Sequence, residues 1–177
     1  MKKLIVFEGC DGSGKSSCAI ELAKQINGVY YKTPPQIFEN LRESIEKTKD
    51  YNLRFYYYLS GTIYAANEII TLLNYNHVVC DRYIYSTIAY HRALGVSITD
   101  GLEKTVTQPD YAFCLQAKEE EIIKRIGQRK NLSAFDTAFD FQKKVYQEFK
   151  KFPLEFFDTT NLNVFESVER LLKKIFL

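Results

Sequence analysis

Gly9-Cys10-Asp11-Gly12-Ser13-Gly14-Lys15-Ser16 decides how the rest of this chain is read. It spells G-x-x-x-x-G-K-[ST], the phosphate-binding loop. Its four fixed positions coincide by chance in roughly one chain in a hundred of this length. The flanks narrow that further. Leu4-Ile5-Val6-Phe7 is a short apolar run suited to a buried parallel strand, and Ala19, Ile20, Leu22, Ala23 and Ile26 have helix-compatible spacing. Strand, glycine loop and helix together are what the motif requires. The glycines let successive backbone N–H groups turn toward phosphate oxygens, and the helix N-terminus adds partial positive charge. Lys15 is expected to reach the β/γ-phosphates and Ser16 to ligate Mg²⁺. The triphosphate site is therefore assigned to Gly9, Gly12, Ser13, Gly14, Lys15, Ser16 and Ser17.

Outward from the loop, apolar segments at 3–7, 29–32, 77–80, 111–116 and 154–157 alternate with helix-compatible stretches. Those stretches are 14–26, 36–47, 53–73, 85–93, 119–127, 134–150 and 164–176. Such alternation predicts a three-layer α/β fold, a five-stranded parallel sheet with helices on both faces. No repeat, low-complexity tract or linker divides the 177 residues, so one domain is expected across 1–177. Ligands of open α/β sheets bind beyond the carboxyl ends of the strands. Chemistry should therefore gather just after Phe7, Lys32 and Cys80.

Composition narrows the classes. A net charge of +2 gives no sign of a general nucleic-acid binder. Met1-Lys2-Lys3 runs straight into the first strand, and no stretch approaches a membrane span, so neither a signal peptide nor a membrane partner is expected. The four cysteines form no C-x-x-C pair and the two histidines do not flank them at ligand spacing, so zinc is not expected. Thiols without a pairing pattern fit a reducing cytoplasm. Cys80 and Cys114 read as core residues, and Cys10, in the loop, as an exposed one.

A second constellation follows the third apolar run. Asp81 at a strand end can face the magnesium of a triphosphate, and Arg82 can bridge donor and acceptor phosphates. Taken alone, Asp-Arg is equally a surface ion pair. The phosphate loop in the same chain tips it toward function.

At these residues the chain resembles thymidylate kinases. Phe7 to Ser17 is similar to their F-E-G-x-D-G-x-G-K-[ST]-[ST] opening, and Asp81-Arg82-Tyr83-Ile84-Tyr85-Ser86-Thr87-Ile88-Ala89-Tyr90 to their D-R-Y-x-x-S-x-x-A-Y segment. Pro109-Asp110 resembles their P-D-[LY] element. The resemblance implies a P-loop kinase fold and ATP- and Mg²⁺-dependent phosphoryl transfer to a deoxynucleoside monophosphate, foremost dTMP. It places Asp11 near the acceptor sugar 3′-hydroxyl, Arg82 on transferred or acceptor phosphate, and Tyr90 against the sugar 2′ position, disfavouring ribose.

The departures are informative. Lys32 stands where the family has an arginine, a charge without the bidentate fork. Thr62 falls where the family's long helix carries an arginine that grips the acceptor phosphate. Tyr58, four positions earlier, is the expected base platform, with core packing as its alternative inside the run Phe55-Tyr56-Tyr57-Tyr58. His91 replaces a glutamine common after the A-Y pair.

Phosphoryl transfer also needs cations on the equatorial oxygens and exclusion of water, often through a mobile basic lid. Lys124-Arg125-Ile126-Gly127-Gln128-Arg129-Lys130 is the densest basic run, and a short lid is expected around 124–136. On a continuous helix Arg125 and Arg129 share a face; the resemblance to the family's lid implies Arg125 for the donor nucleotide and Arg129 for the catalytic set. A family loop lacking its own arginine, as with Gly12 after Asp11, goes with a lid that supplies one. Two other functions stay open: a deoxynucleoside kinase, which would need a carboxylate after the second strand, and a regulatory module that kept only the triphosphate site. An exposed aromatic face on the 53–73 helix would favour a homodimer.

Overall fold

The computed structural model describes residues 1–127 and 139–177. Five strands, β1 (Leu4–Glu8), β2 (Val29–Lys32), β3 (Val78–Asp81), β4 (Tyr111–Gln116) and β5 (Glu155–Asp158), form one parallel sheet in the order β2-β3-β1-β4-β5. The strand order reverses at β1, so the crevice beyond its carboxyl end is where a ligand is expected.

Alternation along the strands builds two cores. Leu4 and Val6 of β1, Val78 and Cys80 of β3 and Cys114 of β4 enter one cluster, while Ile5, Phe7, Val79, Phe113 and Leu115 enter the other. That period of two is the pleat itself, and both faces must be covered because both are apolar. On the first face lie α3 (Tyr51–Leu73), α4 (Ile84–Ala93) and α6 (Phe139–Phe149); on the second lie α1 (Lys15–Gln25) and α7 (Val164–Phe176). Helices α2 (Glu39–Lys47) and α5 (Glu119–Gly127) complete the described set.

The elements match expectation with three differences of physical origin. Strands β1, β3 and β5 each run one residue further, ending on Glu8, Asp81 and Asp158, because a ladder continues through a charged residue where hydropathy stops. The expected 36–47 helix divides into a 3₁₀ turn at Gln36–Phe38 and α2. Cys10 is fully buried rather than exposed, its thiol 3.7 Å from the Gln142 carbonyl on α6, and burial pushes it up to about 11. Of the expected 134–150 helix, residues 134–138 lie outside the described residues.

The helix starts differ in a way that matters for binding. Asp50 caps α3 by accepting from Asn52 N and Leu53 N, and Asn163 closes a capping box with Glu166 on α7. Gly14, ahead of α1, is left-handed and offers no side-chain cap. The first N–H groups of α1 are thus left for an anion. No helix among the described residues is long and apolar enough to cross a membrane.

Candidate active site

The phosphate loop joins β1 to α1, and its conformation is forced. Gly9, Gly12 and Gly14 have φ of +131°, +81° and +92°. A Cβ at Gly9 would stand 2.2 Å from the Leu115 carbonyl oxygen, and one at Gly12 would stand 2.9 Å from Ile122 of α5. Only glycine combines that handedness with that approach. Ser13 is buried with its hydroxyl unpartnered among the described residues. Lys15 Nζ donates to the Cys10 carbonyl at 3.0 Å and lies 3.6 Å from Asp11 Oδ1. Burial lowers its pKa, with Arg82 acting in the same direction and Asp11 and Asp81 opposing.

Arg82 sits at the other wall. Its backbone is left-handed, with φ 66°, a conformation that costs a non-glycine residue and persists only where neighbours over-determine it. Those neighbours are identifiable. Arg82 N donates to Phe7 O at 2.9 Å, Thr33 Oγ1 donates to Arg82 O at 3.0 Å, and Glu8 Oε1 accepts from Tyr83 N and Ser86 N at 3.0 and 3.1 Å. Glu8 is fully buried and also accepts from the Ser86 hydroxyl; burial raises its pKa to about 7. The guanidinium donates to Gly9 O at 3.2 Å, Ser86 Oγ at 3.3 Å and Asp11 Oδ1 at 2.7 Å. Its carbon lies 5.0 Å from the Tyr90 ring centre, and burial pushes the Tyr90 hydroxyl well above its usual pKa.

One cavity of about 370 Å³ spans these groups. Asp11, Lys15, Ser16, Lys32, Tyr58, Asp81, Arg82 and Tyr90 all line it, so residues separated by up to two strands of sequence meet in one place. Asp81 is buried; its Oδ2 accepts from Tyr30 Oη at 3.1 Å, and Oδ1 has no hydrogen-bond partner among the described residues. That orphaned carboxylate oxygen shares the cavity with the Ser16 hydroxyl. An all-oxygen pair of this kind fits a hard divalent cation that takes its remaining ligands from phosphate and water. No cluster of three or more His, Cys, Asp or Glu suited to a metal occurs among the described residues.

Arg125 is brought to the phosphate loop by α5, but its donors are engaged with protein. It donates to Glu121 at 2.9 Å, Gly12 O at 3.3 Å, and Thr159 Oγ1 and O at 3.0 and 2.7 Å. It ties α5 to the loop and to the turn after β5. Gly9, Gly12, Gly14 and Ser17 shape that loop and the start of α1 without lining the cavity. Arg129 and most of the expected lid lie outside the described residues.

Several cavity residues were not singled out in the sequence. Arg54 and Arg42 line it from α3 and α2, with Glu46 and Phe141. Arg42 donates to Glu46 at 2.9 Å, and Tyr58 Oη donates to the same carboxylate at 2.6 Å. The available signal is Arg54 one helical turn before Tyr58, on the same face. Thr62, where an arginine was expected, is buried; it donates to Tyr58 O at 2.9 Å and meets Thr87 Oγ1 at 3.0 Å. The cations of the cavity come instead from Arg54, two turns earlier on α3, and Arg42 of α2. In the aromatic run, Phe55 and Tyr57 are buried in packing and Tyr56 is exposed, while Tyr58 faces the cavity.

Comparison with known proteins gives consistent results. The family model described as thymidylate kinase matches residues 7–175. The probable thymidylate kinase of Methanococcus vannielii is 34% identical over 157 residues, covering 85% of this chain and 78% of that one. Among solved structures, thymidylate kinase from Candida albicans has a TM-score of 0.78 at 23% identity, over 98% of this chain and 91% of that one. Deoxyadenosine kinase from M. mycoides, solved with dATP bound, gives 0.71 at 16% identity over 98% of both chains. At such identities the structural likeness carries the fold, a P-loop kinase fold.

Proposed function

This chain belongs to the thymidylate kinase family, and on that premise we propose that it transfers the γ-phosphoryl group of ATP, with Mg²⁺, to a deoxynucleoside monophosphate, dTMP foremost. The observation that carries this is the single cavity in which the phosphate loop and a second, aromatic-lined pocket meet at Arg82.

The proposed roles follow from position. The loop N–H groups and the uncapped α1 N-terminus hold the donor phosphates. Lys15 and Arg82 offset charge on the transferring group as an acceptor phosphate oxygen bonds to the γ-phosphorus and the bond to the β–γ bridging oxygen breaks, leaving ADP. Ser16 and Asp81 would hold Mg²⁺, which when bound neutralises and orients the phosphate oxygens. Asp11 aligns Arg82 and faces the sugar, Lys32 meets the acceptor phosphate, Tyr58 supplies a face for the base and Tyr90 crowds the sugar 2′ position. Arg125 braces the donor site, and Arg129, in a lid spanning 124–136, adds charge on closure.

A monophosphate acceptor is favoured over a free nucleoside. Among the described residues the lining carboxylates are Asp11, Glu46 and Asp81; Asp11 is paired with Arg82 and Glu46 with Arg42, and none of the three follows β2 in the chain to deprotonate a 5′-hydroxyl. A coupled assay across nucleosides and nucleoside monophosphates, with ATP and Mg²⁺, tests this. Turnover of nucleosides alone would replace the assignment, and no turnover would leave a regulatory nucleotide binder.

A homodimer is proposed through α3, whose Leu53, Tyr56, Ile63, Tyr64 and Ile70 are exposed along one helix. Sedimentation tests it, and a monomer at micromolar concentration would overturn it. A cytoplasmic setting is proposed from the four free, buried cysteines.

A further inference from the structure

Tyr30 does not line the cavity but is bonded to a residue that does. On β2 it pairs in register with Val79, while Asp81 pairs with Lys32. Alternation puts Tyr30, Val79 and Asp81 on one face of the sheet, the face covered by α1. Tyr30 packs there against the core cluster that holds Phe7 and Val79. Two residues of strand, about 6.6 Å, separate Tyr30 from the position beside Asp81. Side chains in strands lean along the strand, and a tyrosine is long enough to close that gap. Its hydroxyl donates to Asp81 Oδ2 at 3.1 Å.

That bond settles what the aspartate cannot settle for itself. The last torsion of an aspartate is broad and two-fold, so its rotamer alone does not fix the carboxylate plane. Among the described residues Tyr30 is the one hydrogen-bond donor to the Asp81 side chain, and Oδ1 has none. Asp81 is 1% exposed, which keeps bulk solvent from supplying a substitute donor. One oxygen is thus committed to the neighbouring strand and the other is left for a ligand. Carboxylates that bind metals are themselves hydrogen-bonded, and losing such a partner costs roughly 10–100-fold in affinity.

We propose that Tyr30 is a positioning residue for the cation site: bonded to Oδ2, it holds the Asp81 carboxylate with Oδ1 free for the divalent cation that Asp81 would share with Ser16. A phenylalanine would fill the same space and leave the carboxylate free to turn. This role rests on the Mg²⁺ assignment above and concerns affinity and selectivity for the cation, not the transfer step. Mg²⁺ demands near-octahedral geometry whereas Ca²⁺ tolerates irregular coordination, so a loosened carboxylate should cost Mg²⁺ more.

The test is competition of Mg²⁺ and Ca²⁺ against Mn²⁺ on the full chain saturated with a non-hydrolysable ATP analogue, followed by the electron paramagnetic resonance of free Mn²⁺. Tyr30→Phe should weaken Mg²⁺ binding about tenfold and Ca²⁺ binding at most about threefold, while the metal-free analogue binds as in wild type. In an Asp81→Ala background the same change should add nothing, because the carboxylate it acts on is gone. Unchanged Mg²⁺ affinity in Tyr30→Phe overturns the proposal, as does an equal loss in the Asp81→Ala background. Equal weakening of both cations, or weaker binding of the metal-free analogue, would make the hydroxyl a general structural support and overturn it too. Tyr30→Leu, which also lacks the hydroxyl, is the second variant should Phe fail to fold. If wild type phosphorylates no monophosphate, the kinase assignment fails, while the titration, which involves no transfer, still decides the role of Tyr30. If wild type binds no Mn²⁺ with the analogue, the cation site is lost and the proposal falls with it.

Discussion

Arg82 is ion-paired with Asp11, from the loop after the adjacent strand β1: the guanidinium–carboxylate distance is 2.7 Å. Strand geometry separates residues 81 and 82, and the left-handed turn at Arg82 throws its side chain over the phosphate loop. Asp81, whose Oδ2 accepts from Tyr30 Oη, keeps Oδ1 without a hydrogen-bond partner among the described residues.

The first prediction concerns this pair. Arg82→Ala should lower kcat ~10²–10³-fold, the usual effect of deleting one transition-state donor. Asp11→Asn keeps the Arg82 charge but loosens its placement, so a smaller fall in kcat is expected. Steady-state rates with saturating ATP measure both, and near wild-type turnover in Arg82→Ala would remove the residue from the chemistry.

Lys15→Ala should abolish turnover while the circular dichroism spectrum stays native, because Lys15 serves the phosphates more than the core. Asp81→Asn and Ser16→Ala should each raise the Mg²⁺ concentration needed for half-maximal rate. A metal titration that superposes on wild type in both variants would contradict the cation site.

Stability should depend on pH through two buried groups acting in opposite senses. Glu8 holds its proton to about pH 7 when folded but releases it near 4.5 when unfolded, so its contribution is present below pH 4.5 and lost as pH rises to 7. Unfolded His91 takes a proton near 6.5 and the folded one only near 4, so its contribution is present above 6.5 and lost as pH falls toward 4. Each is on the order of 3 kcal/mol across its window. Relative to wild type, the Tm of Glu8→Gln should climb between pH 4.5 and 7, and that of His91→Phe should decline between 4 and 6.5. Parallel Tm curves for all three proteins would refute the linkage.

At the sugar, Tyr90 predicts preference for deoxynucleotides, since a 2′-hydroxyl would meet the ring. Tyr90→Phe should relax this slightly and Tyr90→Ala substantially. The ratio of kcat/KM for deoxy- and ribonucleotides measures it, and equal use by wild type would rule the role out.

Much of the fold was legible because buried parallel strands are apolar runs, and the phosphate loop because its donors are consecutive residues. What escaped is what tertiary packing creates. Arg42 and Glu46 look in sequence like a solvated i,i+4 pair, yet α2 and α3 turn them onto the cavity beside Tyr58. Glu8 sits one residue past an apolar run and gives no local sign that it braces the Arg82 turn 74 to 78 residues downstream, where its partners lie 75 and 78 positions away. Thr62 reads as a lost arginine, although Arg54, two turns earlier on α3, and Arg42 of α2 line the cavity.

Gly12 has a consequence for how such a chain can vary. A side chain there would enter the isoleucines Ile122 and Ile126, at 2.9 and 3.1 Å, while the backbone angle already disfavours it. A side chain at position 12 is therefore coupled to positions 122 and 126. A lineage that places a long cation in this loop must first thin α5 at both isoleucines and then supply another anchor for that helix. Grafting experiments between family members should respect the same grouping: swapping the loop alone is the move expected to fail.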